Sequence, residues 1–102
     1  MKKIELEDYQ AHGINLDGEE SLVENLTPIL KDLVQTLLDL PEKAPEPTVL
    51  ECFKKCIFNI NNFEDEIETV ERESVLEHIY AIGEIMGLDP TSEYAEEWRG
   101  DW

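Results

Sequence analysis

Between Thr69 and Leu88 the chain reads TVERESVLEHIYAIGEIMGL, and Val75, Ile79, Ile82 and Met86 recur at steps of four, three and four. That is the period of one helical face turned toward a core. Leu76, Gly83 and Leu88 widen the stripe. Thr69 is placed to cap the start, and Glu71 and Glu73 fall in the first turn, where the helix dipole favours negative charge. Gly87 sits where a left-handed residue ends a helix, and Asp89-Pro90 prevents its resuming. Gly83 has no side chain, which marks a close approach by another helix at a cost of about 1 kcal/mol in propensity. A helix over 69–87 is therefore predicted as the centre of the fold.

Two further stripes fit around it. Ser21-Leu22-Val23-Glu24 has the capping-box pattern, followed by Leu22, Leu26, Ile29, Leu30, Leu33, Val34 and Leu37. Pro28 interrupts this stripe, so the spacing predicts a first turn near 21–26 and a helix from about 28 to 39, with Thr27 as its cap. The segment 41–47 holds three prolines and reads as an inter-helix loop. Thr48 and Glu51 repeat the capping box, and Val49, Leu50, Phe53, Cys56, Ile57, Ile60 and Phe63 give a helix to about Asn62. Ile67 is placed to pin the connection to the central helix. Thr91 to Trp98 predicts a short terminal helix capped by Asp89, followed by a docked tail. Residues 1–20 form an arm, a short helix or irregular, in which Ile4, Leu6 and Tyr9 reach the core. With no period-two run, the expectation is a single all-α domain of four to five helices. Its core is Leu26, Leu30, Leu33, Leu37, Phe53, Ile57, Ile60, Val75, Ile79, Ile82 and Met86.

Charge narrows the function. The 102 residues carry 25 acids and 8 bases, a net −17. Phosphate binding needs Lys and Arg, so no nucleic-acid partner is expected, and an anionic membrane surface is excluded on the same ground. A negative field attracts basic proteins and speeds the encounter with them. The density peaks from Glu64 to Glu77, where Glu64, Asp65, Glu66, Glu68, Glu71, Glu73 and Glu77 face one base, Arg72. These seven are the candidate partner-binding residues. A solvated helix face is the plainer reading of the same run.

Chemistry of other kinds finds little support. Cys52 and Cys56 lie one turn apart, but a zinc site needs two more ligands, and a disulfide within one helix at this spacing is poor geometry. Cys56 is expected in the core and Cys52 at its edge. His78 lies beside Glu77 with no nucleophile in a recognisable pattern, so it and His12 read as surface or partly satisfied histidines. No phosphate loop, metalloprotease motif or calcium loop is present. No catalytic residue, metal or cofactor is expected. With no apolar leader after Met1-Lys2-Lys3 and no apolar run long enough to span a bilayer, a cytoplasmic protein with reduced thiols is expected.

The stretch Asp65-Glu66-Ile67-Glu68-Thr69-Val70-Glu71-Arg72-Glu73, with Ile82, Gly87-Leu88 and the closing Asp101-Trp102, resembles a family of small acidic bacterial proteins of unassigned function. The resemblance covers roughly the last 40 residues. In overall character the chain is also similar to immunity proteins of contact-dependent growth inhibition and related toxin systems. That likeness implies a partner, a basic toxin domain such as an RNase, neutralised by an acidic surface laid over its active site. The alternative is a helical adaptor or regulator that takes a cellular protein in an apolar groove, with an exposed patch around Phe58, Trp98 and Trp102. The oligomeric state is left open.

Overall fold

The stripe from Leu22 to Leu37 forms the spine of the molecule. The computed structural model describes residues 2–100 and 102; Asp101 of the closing motif lies outside them. Four α-helices follow one another: α1 (Lys2–Asp8), α2 (Glu20–Leu38), α3 (Glu46–Asn61) and α4 (Thr69–Ile85). A wider π turn, Tyr9–Gly13, prolongs α1, and two 3-10 turns, Pro90–Ser92 and Tyr94–Glu97, follow α4. Among the described residues there is no strand, as expected of an all-α chain. Helix α2 packs against each of the other three, and α4 packs against α1 and α2. The radius of gyration is 12.8 Å, close to the roughly 13 Å of a single domain of this size. No helix among the described residues is long and apolar enough to cross a membrane.

The predicted core is present except at one position. Leu26, Leu30, Leu33, Leu37, Phe53, Ile57, Ile60, Val75, Ile79 and Ile82 are buried, whereas Met86 is only partly covered. Met86 is the last residue before the chain turns, so its side chain lies at the rim. Leu6 is fully buried, Tyr9 packs partly on the core, and Ile4 stays 68% exposed. Ile67 is buried in the connection before α4.

Helix α2 corrects the prediction of a break at Pro28. It runs through that residue without interruption. A proline inside a helix costs about 3 kcal/mol. The six buried residues Leu22, Leu26, Leu30, Leu33, Val34 and Leu37 are each worth roughly 1.5–3 kcal/mol, and they stay in phase only if the helix continues. Pro28 and Glu24 both face solvent, so water can reach the carbonyl that Pro28 leaves without a donor.

The expected caps are displaced. Helix α2 starts one residue early: Glu19, not Ser21, takes the Leu22 N–H at 3.0 Å. Helix α3 begins at Glu46 behind Pro45, with Pro47 in its first turn, so the linker is shorter than 41–47 and Thr48 is not its cap. Helix α4 is capped at Glu68, not at Thr69. At its far end Gly87 adopts φ +86°, Leu88 N–H donates to Gly83 O at 2.9 Å and Gly87 N–H to Glu84 O at 3.0 Å. These are the paired bonds of a left-handed helix stop. Asp89 then caps as predicted, accepting from Thr91 N–H at 2.9 Å. The terminal helix does not form, because Glu93 takes φ 50° and divides the segment into two short turns.

Gly83 does mark a close approach, made by a side chain and not by a helix. A methyl group at this position would collide with the Tyr94 hydroxyl. The Tyr94 ring meets Phe53 and Tyr80 edge to face, with centroids 5.8 and 5.2 Å away. Its buried hydroxyl has no hydrogen-bond partner among the described residues. Burial raises its pKa, with Tyr80 and Glu84 adding to the effect. Tyr94→Phe should therefore stabilise the fold by on the order of 1 kcal/mol in urea denaturation. Gly83→Ala should cost roughly 1–3 kcal/mol despite alanine's better helix propensity. In the double variant most of that cost should disappear, and strict additivity would show that the hydroxyl is not the obstruction.

Candidate functional site

Helix α4 carries two polar stripes as well as its apolar one. Glu73, Glu77 and Glu84 are exposed and lie within about 40° of each other around the helix axis. Before them, Asp65, Glu66 and Glu68 are exposed in the turn that leads into the helix. Among the described residues, none of Asp65, Glu66, Glu68, Glu73 and Glu77 forms an ion pair; the one found joins Arg99 and Glu96 at 2.6 Å. Glu64 is half-buried, and a side chain at Gly100 would collide with its carboxylate. Val70, 56% exposed, stands at the head of the stripe. Glu84 was missed by reading the run 64–77 as a block; its helical spacing from Glu73 and Glu77 is the signal that finds it.

Glu71 is the exception among the seven candidates. It is only 6% exposed, so it is withdrawn from any docking surface. Its carboxylate accepts from Glu19 N–H at 2.8 Å and from Glu68 N–H at 2.9 Å. These two amides hold its pKa below the ordinary carboxylate value, outweighing burial and the nearby charge of Glu19. Gly18, at φ +137°, passes so close that any side chain there would strike this carboxylate.

Glu71 is the first rung of a buried ladder. Asp17 N–H donates to Ser74 Oγ at 2.9 Å, and Asn15 N–H donates to His78 Nε2 at 3.1 Å. Positions 71, 74 and 78 share one helix face, and the alternate amides of 15, 17 and 19 reach it from the segment before α2. The two spacings match closely enough for three alternate amides to find three side chains. His78 Nδ1 lies 2.7 Å from Ser74 O. A backbone amide only donates and a carbonyl only accepts, so the proton is on Nδ1 and Nε2 is the acceptor. His78 is buried with both nitrogens engaged, which corrects its reading as a surface or partly satisfied residue.

The other end of the chain is fastened in the same way. Asn61 Oδ1 accepts from Gly100 N–H at 2.9 Å and from Trp102 Nε1–H at 2.6 Å, while its amide donates to Trp98 O at 2.9 Å. Trp102 is buried, and Arg99 lies over its ring and donates to its carbonyl. The patch expected around Phe58, Trp98 and Trp102 is thus not formed, although Phe58 itself is exposed. An apolar groove of about 500 Å³ lies elsewhere, between Ile4 and Leu6 of α1 and Leu37, Leu40, Pro41 and Met86.

The thiols are where the spacing placed them, Cys56 buried and Cys52 at the edge. Burial pushes Cys56 up to about 12, with Asp32 adding to it, and also raises Cys52. Neither presents a thiolate near neutral pH. Among the described residues, no group of three or more His, Cys, Asp or Glu is arranged to hold a metal. The chain matches no protein-family model, no curated protein and no solved structure.

Glu71→Gln leaves one of two partly buried amides without its acceptor and should cost on the order of 1 kcal/mol, against about 0.5 or less for Glu73→Gln. The Glu71 pKa is lowered from 4.5 in the folded state. Its contribution is therefore complete above that ordinary value and is lost as the pH falls through the folded one. The stability gap between the wild-type chain and Glu71→Gln, followed by urea titration, should be constant around neutrality and close in strong acid.

Proposed function

We propose that this chain is an immunity-type protein that binds a cationic toxin domain, a nuclease, and blocks it with an acidic surface. The carrying observation is the row of Glu73, Glu77 and Glu84 on one side of α4, with Asp65, Glu66 and Glu68 exposed in the turn before it, on a chain of net charge −17. Like charges at this density repel one another, and a basic partner relieves the repulsion. A nuclease active site holds phosphates with cations, so carboxylates seated there compete with the nucleic acid for the same groups. The residues lie on a helix and on a turn pinned by Ile67, so little ordering is needed on binding.

The groove beside α1 supports a second reading, an adaptor that takes an apolar segment. Salt separates the two. Binding to a basic toxin domain encoded next to this chain should weaken at least tenfold between about 0.05 M and about 0.5 M salt. Glu73→Lys with Glu77→Lys should slow association by about an order of magnitude, with the helical circular dichroism unchanged. Ile4→Glu should leave the affinity as it is. Salt-independent binding that Ile4→Glu abolishes would overturn the electrostatic reading in favour of the groove.

A further inference from the structure

The ladder on α4 holds an extended strap by rungs of different chemistry. Glu19 N–H is held by a carboxylate, Asp17 N–H by a hydroxyl and Asn15 N–H by the bare Nε2 of a neutral imidazole. In mild acid only the last rung is reversed by one proton, because the Glu71 carboxyl is held below its ordinary range. With Nδ1–H already committed to Ser74 O, a proton on Nε2 makes the ring a donor at both nitrogens. The Asn15 N–H then faces another N–H, and its bond is gone.

We propose that the segment 9–19 is a strap whose arm-side end is latched by neutral His78 and released when that ring takes up a proton. The release is one-ended. Glu71 stays ionised through mild acid, because the Glu19 and Glu68 amides hold its carboxyl below the ordinary range, so the strap remains tied at Glu19. The arm-side end carries Tyr9, whose ring meets His78 edge on at 6.1 Å, and exposed bonds from Gln10 to Lys31 O and Gln35 Oε1, and continues back into α1. Helix α1 supplies Lys3, Ile4 and Leu6 to the apolar groove, so unlatching loosens one wall of that groove.

The titratable groups around the ring come from α4, the strap and the arm. From α4 the charged groups near the ring are Glu77, next in sequence, and Glu71, two turns below. The strap brings Asp17 and Glu19, and the arm brings the Tyr9 hydroxyl and exposed His12, whose carbonyl accepts from Asn15 Nδ2. The buried faces of α2 and α1, Leu22 to Leu37 and Leu6, bring no titratable group. Burial and Glu77 push the Tyr9 hydroxyl up, so it stays neutral. Imidazole is the side chain that changes charge between about pH 5 and pH 8. The chain has two, His12 and His78.

Amide hydrogen exchange on the full chain, corrected for the intrinsic rate at each pH, reads the latch directly. Protection at Asn15 should fall on the order of tenfold from pH 8 to pH 5.5 while protection at Glu19 holds. The Leu6 methyl signals should move with the same midpoint. His12→Gln should keep this response, and His78→Gln, whose amide oxygen accepts without titrating, should abolish it. Should His78→Gln fail to fold, the nitrogen shift of Nε2 in the wild-type chain must titrate together with the Asn15 amide. The proposal is overturned if Asn15 protection is flat across this range, if His78→Gln responds like the wild type, or if Asn15 and Glu19 lose protection together.

Discussion

One carboxylate joins the two helices that organise the fold. Glu71 accepts the amide of Glu68 at the start of α4 and the amide of Glu19 at the start of α2. Glu19 in turn spends its own carboxylate on Leu22 N–H and the Ser21 hydroxyl. Two helix N-termini, distant in sequence, are thus capped by adjacent acids. The Coulomb repulsion between them is outweighed by the four donors they accept, each a charge-assisted bond. In a chain of net charge −17 this uses surplus negative charge as structure.

Helix α4 has unusually divided duties. Its apolar side, Val75, Ile79 and Ile82, enters the core; a second side, Glu71, Ser74 and His78, holds the strap; a third, Glu73, Glu77 and Glu84, faces water. Because the strap consumes the polar groups on one side, the carboxylates of α4 left exposed to solvent are the outer ones. The strap thereby divides the acids of the 64–77 run into one structural group and several available ones.

The periodic parts of the fold were legible in the linear chain. The stripes on α2, α3 and α4, the Gly87 stop and the Asp89 cap all depend on neighbours within a few residues. The caps were misplaced because a Ser-x-x-Glu pattern reports only local competence, and a carboxylate reaching from the adjacent turn, or from another helix, satisfies the same amides. The uninterrupted course through Pro28 was hidden because a local penalty of about 3 kcal/mol is outweighed only by burial that the whole fold creates. The terminal helix failed for a similar reason: docking of Tyr94 against Gly83 and of Trp102 against Asn61 takes precedence over local helix propensity.

For the candidate site the division is sharper. Composition alone set the sign of the field, and residue order located the acidic run, since charge is additive and needs no geometry. Side-chain spacing alone predicted the helix from Thr69, to about residue 87 where the structure ends it at Ile85, and placed Cys56 on the buried face of α3. Only the tertiary structure decided that Glu71 is buried and that His78 is a neutral acceptor. Those roles are assigned by backbone amides more than fifty residues away in the chain, which no local period encodes.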